Sequence, residues 1–378
     1  MTRHLSCFVL IVLLGLTPCY IGTAGASDSS DPDQSLGPLK GSSRFTNEEF
    51  VESIVSGGPA PDGIPPIEQP VYESVGSADE WLHPEDRVFV VEGQEGVRLY
   101  PQLIMVYHEI LNQEFNGRPG SLTYCPLVGV AIGYYADIND VGTTFGTSGK
   151  LVNNNLIMYD RQTGSYWPQI LGEAITGACE SVALEAFPVY WATWEDAVAA
   201  YPDAEVLSRE TGFAKPYGHD PYGSYPTERG YYFSDEIMFF SMNWDPRLAL
   251  KRPVIGLKTS CGTAAFPKDS LAPDHPVLNF DVADAPVVAF YDEQLDTVRT
   301  FSRVNVDTVL TFAMQDGNLI DLNTGSVWTV KGRCVSGKWA GTQLAWIESM
   351  ESFWFAWVAF YPETEFVERN VESTRVSP

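Results

Sequence analysis

Asp160-Arg161-Gln162-Thr163-Gly164-Ser165-Tyr166-Trp167 returns later in the chain as Asp321-Leu322-Asn323-Thr324-Gly325-Ser326-Val327-Trp328, so a D-x-x-T-G-S-x-W pattern occurs twice. Read locally, it is a turn: the Asp side chain bonds nearby backbone N–H groups, Gly takes positive φ, and the Trp packs beneath. Other landmarks recur in the same order. Tyr100-Pro101 answers to Phe266-Pro267, His108 to His275, and Tyr201-Pro202 to Tyr361-Pro362. The offset is 167 at the histidines (275 − 108), 161 at the turn motif (321 − 160) and 160 at the Tyr-Pro pair (361 − 201). Loop shortening between equivalent elements accounts for so small a drift, and a period of this length predicts a domain-sized duplication rather than a solenoid.

Within each copy the texture is β. Residues 88–91 and 97–100 flank a Gly-Gln-Glu-Gly turn, and further strands are expected at 122–124, 128–135, 143–145 and 156–159. The clearest helix is 193–200, with Thr193 as cap, Glu195 and Asp196 in the first turn and Pro202 beyond its end; its counterpart is expected near 353–360. Short turns between sequential strands favour antiparallel pairing. The expected class is α+β: β-rich, with two tandem pseudo-equivalent repeats of antiparallel strands and short edge helices.

The expected organisation follows from composition along the chain. Residues 1–26 read as a signal peptide, with Arg3 and His4 before an apolar run too short to span a bilayer and Ala24-Gly25-Ala26 at its end. Cys19 follows Pro18, which departs from the small residue that lipid anchoring requires, so a periplasmic or secreted protein is favoured over an anchored one. Residues 27–60 read as a disordered leader and linker with brief helical spacing at 46–56 capped by Thr46 or Asn47, 61–211 as the first repeat, 212–245 as a Tyr/Gly/Pro-rich connecting segment, and 246–370 as the second repeat. Asp and Glu outnumber Lys and Arg by 49 to 23, for a net charge of −26. This argues against a nucleic-acid partner, because phosphate binding needs clustered Lys and Arg. No later stretch reads as a transmembrane span. Four cysteines remain beyond the signal, Cys125, Cys179, Cys261 and Cys334, and an oxidising compartment would allow a bridge such as Cys179 to Cys334.

Asp62-Gly63-Ile64-Pro65, Tyr100-Pro101, His108-Glu109-Ile110, Thr123-Tyr124-Cys125-Pro126-Leu127, Asn155-Leu156-Ile157-Met158-Tyr159-Asp160-Arg161 and Phe353-Trp354-Phe355-Ala356-Trp357 occur in this order. Together they resemble the signatures of the family called domain of unknown function 3179. The resemblance implies an exported protein and carries no activity with it. The family pattern has a second cysteine where this chain has Val128, so the resemblance does not imply dithiol cycling here.

The residues themselves leave two functional readings. In the first, Cys125 and His108 are catalytic, or His108, Cys125 and Met158 hold a soft transition metal; His, Cys and Met are a donor set suited to copper. Cys125 has Asp292 as its repeat mate, and this asymmetry singles it out. Against this stands a structural reading, since lone cysteines are often simply buried and His275 argues for a role of His108 common to both copies. In the second reading the chain is a non-catalytic binding module. A cleft between the repeats, lined by Tyr217, Tyr222, Tyr225 and the tryptophans, then holds a small molecule, a glycan or a protein. No nucleophile-elbow, zinc-protease, P-loop or dinucleotide motif is present.

Overall fold

The computed structural model describes residues 44–139 and 141–368. The signal-like segment and leader residues 27–43 lie outside the described residues. The fold is β-rich, with several antiparallel sheets and five short α-helices among the described residues. No helix there is long and apolar enough to cross a membrane.

Three larger sheets carry the first half among the described residues. One carries Tyr190–Thr193, Arg87–Gly93, Gly96–Pro101, Glu205–Leu207 and Tyr72–Ser74 in that spatial order. A second is the meander Ile110–Phe115, Arg118–Cys125, Val130–Tyr135, and the third contains Phe145–Val152, Asn155–Asp160 and Tyr166–Pro168. The second half has the order Ser349–Phe353, Pro253–Lys258, Thr263–Pro267, Glu365–Phe366, the meander Val277–Val282, Ala285–Asp292, Thr297–Ser302, and a sheet with Phe312–Gln315, Asn318–Asp321, Val327–Trp328. In each half one short strand pairs parallel inside an otherwise antiparallel sheet, Glu205–Leu207 on Gly96–Pro101 and Glu365–Phe366 on Thr263–Pro267.

Side-chain devices recur with the strands. Asp160 accepts from Thr163 N (2.6 Å) and Trp167 Nε1 (3.1 Å), and Asp321 from Thr324 N (2.7 Å) and Trp328 Nε1 (3.0 Å). Gly164 and Gly325 sit at φ 72° and 71°, the left-handed backbone that closes each turn. Asn112 bridges both polar groups of the Phe145 backbone, and Asn279 does the same for Phe312. Phe145 and Phe312 then meet Trp167 and Trp328 edge-on.

The helices at corresponding places have different surroundings. Trp194–Ala200, capped by Thr193, buries only Trp194 and Ala197. Trp354–Phe360 lacks a side-chain cap and buries all seven residues. A helix apolar on every face has no stable position except inside a core. Its side chains join a cluster containing Cys125, Met158 and Trp167 of the first half and Val254 and Ala265 of the second.

Two expectations are corrected. Residues 44–60 are not a disordered linker: helix Asn47–Glu52 is closed by a capping box from Thr46 and Glu49, and Val55–Ser56 adds an edge strand to Phe145–Val152. Phe50 is fully buried and stacks on Phe360 at 5.5 Å. The hydrophobic partner that orders this segment lies at the far end of the chain. Cys179 and Cys334 are also not joined to each other, because Cys179 is buried beside Thr163 and Ser165 in one half and Cys334 beside Ser336 in the other. Phe50→Ala should therefore cost about 3–5 kcal/mol, measured by urea unfolding; an unchanged midpoint would show that the segment is not docked.

Candidate functional site

The structure gives the three residues singled out in the sequence separate partners. His108 follows helix Gln102–Met105, with Nδ1 2.7 Å from the Pro65 carbonyl and Nε2 hydrogen-bonded to the Tyr217 hydroxyl. A neutral imidazole that donates to a carbonyl and accepts from a phenol has no lone pair left for a metal. Burial lowers the pKa of this ring and so favours its neutral form. His275, in the second half, instead places Nδ1 against the Asp274 carboxylate.

Cys125 ends strand Arg118–Cys125, with Sγ 3.7 Å from the Asn154 carbonyl. Burial, reinforced by the charge of Glu109, pushes its thiol up to about 12. Met158 lies between Thr147 and Trp167 on the neighbouring strands and is fully buried. Cys125 and Met158 share one core, whereas the His108 ring packs against Phe213 and Tyr217. Among the described residues no group of three or more His, Cys, Asp or Glu is arranged to hold a metal ion.

Sequence reading passed over Glu109. It sits at φ 58° in the bend between His108 and Ile110, a backbone setting uncommon outside glycine. Its carboxyl is 8% exposed, accepts no hydrogen bond among the described residues, and is pushed up to about 8 by burial. Only its place next to a candidate histidine marked it in the sequence.

The connecting segment is held to the first half by a buried polar network around Asp220. Gln102 Nε2 lies 2.8 Å from Asp220 Oδ2, the Tyr232 hydroxyl donates to the same oxygen at 2.7 Å, and Tyr124 joins through Gln102 at 3.1 Å. Tyr225 stacks on Tyr232 with ring centroids 4.2 Å apart. This arrangement makes the segment one wall of a cleft of about 680 Å³, to which both halves contribute. Trp191 of the first half, Tyr225 and Phe233 of the connecting segment, and Lys251, Tyr291 and Phe353 of the second half line it.

Of the residues expected there, Tyr225 lines the cleft. Tyr217 is engaged by His108, Tyr222 is outside the lining, and Trp167 and Trp328 are buried under their own turns. Gly129 lies close against Phe353 of the other half: a Cβ built there would meet the Phe353 ring at 3.0 Å. Trp191 Nε1 and Ser352 Oγ, both on cleft-lining residues, are buried without a hydrogen-bond partner. Each such atom costs about 1–3 kcal/mol unless something satisfies it.

Two measurable consequences follow from the buried thiol and carboxyl. Cys125 should resist a disulfide-exchange reagent in the native protein at pH 8 and react only on unfolding, read by comparing wild type with Cys125→Ser; rapid native labelling lost in that variant would contradict it. For Glu109 the folded pKa lies above the ordinary 4.5, so its contribution is full below about pH 4.5 and is lost as pH rises toward 8. Glu109→Gln should thus gain on wild type as the pH rises from 6 to 8.5, by about 3 kcal/mol for the two units between pH 6 and 8 at roughly 1.4 kcal/mol each. A pH-independent difference in urea unfolding would contradict this.

Compared with known families, residues 61–364 match the family described as "Protein of unknown function (DUF3179)". No curated protein and no solved structure matches the chain. The chain belongs to the DUF3179 family.

Proposed function

We propose that the chain is an exported binding protein that holds a small molecule in the cleft where its two halves meet. The observation that carries this reading is the composition of the cleft: about 680 Å³, walls from both halves and the connecting segment, and buried polar atoms of Trp191 and Ser352 left without partners. Large concave sites with aromatic walls and a few convergent polar groups are the usual setting for ligands. The halves, 61–211 and 246–370, are read as copies of one unit joined by 212–245, so that the cleft arises from their junction and neither copy holds it alone. Residues 1–26 are read as the export signal, which places the ligand in the periplasm or outside the cell.

The metal or thiol reading centred on His108, Cys125 and Met158 has less support. Both His108 nitrogens are engaged and burial keeps the Cys125 thiol protonated.

Ala249 is exposed and lines the cleft, so Ala249→Trp fills it from a surface position. In thermal-shift screening of the mature chain against a small-molecule library, compounds that raise the wild-type Tm should fail to raise that of Ala249→Trp. Equal shifts in both proteins would place binding elsewhere and overturn the proposal.

A further inference from the structure

Hydrogen-bond donors and acceptors are unequally committed around this cleft. Three of its five carboxylates are engaged: Glu351 pairs with Lys268 at 3.0 Å, Asp269 with Arg252, and Asp296 accepts from the Tyr291 hydroxyl at 2.7 Å. Two of its cations are not. Lys251 Nζ donates to the Tyr231 carbonyl and to Ser234 Oγ at 3.1 Å, and lies 3.3 Å from the Tyr231 ring centroid. An ammonium has three N–H groups, so one remains, and among the described residues no carboxylate is in ion-pair contact with it. Arg87 also lines the cleft and forms no ion pair among the described residues. Trp191 and Ser352 contribute an uncommitted indole N–H and hydroxyl. Lys251 and Arg87 thus leave cationic N–H donors open on the wall, and these call for a ligand that carries a charged acceptor.

Two further features narrow the class. Phe233, 48% exposed, presents a ring to the cleft beside Tyr225, which suits a flat apolar body. Asp235 and Glu236 act on Lys251 from the connecting segment, and Glu228 is exposed on the cleft lining. Their charge favours a single negative charge over a dianion such as a phosphate monoester.

We infer that the cleft takes a small organic monoanion, a carboxylate carried on an apolar ring, with the carboxylate accepting from Lys251 and the ring lying along Phe233 and Tyr225. This rests on the cleft-binding reading above. A charge-assisted contact in a partly desolvated site strengthens binding and sets the ligand's orientation. Burial keeps the free Lys251 amine at about 8, and a bound carboxylate favours its protonated form, so binding takes up a proton at alkaline pH. The groups facing this amine are Tyr231, Ser234, Asp235 and Glu236.

The test is titration of the full mature chain with benzoate and phenylacetate against benzamide and phenylacetamide, followed by calorimetry and ligand-observed NMR. The acids should bind at least tenfold more tightly than the amides at pH 7, and their affinity should fall between pH 8 and 9.5. Lys251→Met should remove the preference, while Lys251→Arg should keep it and flatten the pH dependence, which guards against a variant that merely folds poorly. Acids and amides bound equally, and both lost in Ala249→Trp, would overturn the anion assignment and leave the cleft reading intact. Binding unaffected by Ala249→Trp would overturn both, and no binding of either acid would overturn the assignment of ring carboxylates.

Discussion

Burial of the helix Trp354–Phe360 is the constraint on which the rest of the structure depends. Seven residues are too few to hold a helix in water, and Phe353 offers no side-chain cap, so this segment is helical only because it is enclosed. Enclosure needs material from both halves. Phe360 stacks on Phe50, the Ala359 carbonyl accepts from Asn153 Nδ2 at 2.9 Å, and Phe353 N reaches the Val128 carbonyl at 3.1 Å. The two indoles are satisfied within the same arrangement, Trp354 by the Asp245 carbonyl at 3.0 Å and Trp357 by Thr364 at 2.9 Å. Once this helix is seated, the halves are fixed beside one another, and the cleft that includes Gly129 and Phe353 follows.

A second clamp explains the asymmetry that drew attention to Cys125. Asp292 ends the middle strand of its meander as Cys125 does in the other, and both face the first position of the next strand, Thr297 and Val130. Asp292 accepts from Arg299 Nε at 2.7 Å, and Arg299 reaches across to Glu92 with contacts of 2.7 and 3.1 Å. Burial alone would raise the Glu92 carboxyl, but Arg299, with Tyr201 and Lys331, holds it down at about 2. The first half has Ile132 at the place of Arg299. At this place in its meander the second half makes an ionic contact with the first, where the first half carries the buried thiol of Cys125. A buried pair of this kind contributes little by forming and costs much when one partner is removed, which suits a junction that must not slip.

What the sequence reveals here depends on range. The D-x-x-T-G-S-x-W turn and the Thr193 cap were readable because their donors and acceptors lie within a few residues, and the structure uses those bonds. The β-rich class followed from alternating short strands and turns. Docking of 44–60 was not readable, since polar, Pro-rich composition says nothing of a Phe360 some 300 residues away. Glu109 was hidden because its burial and positive φ come from tertiary packing at an ordinary carboxylate. Cleft residues such as Trp191, Lys251 and Ser352 are scattered over separate segments, so no local motif joins them. His108 and Cys125 stood out as residue types; in the structure His108 has hydrogen-bond partners on both ring nitrogens and Cys125 lies buried in the core.

The central claim is that the two halves form one body through a shared core, with the cleft as a fixed feature of their junction. Differential scanning calorimetry of the mature chain tests it most directly. The account predicts a single transition whose calorimetric and van't Hoff enthalpies agree. Two resolved transitions, each with the enthalpy of half the chain, would show that the halves unfold independently and would contradict it.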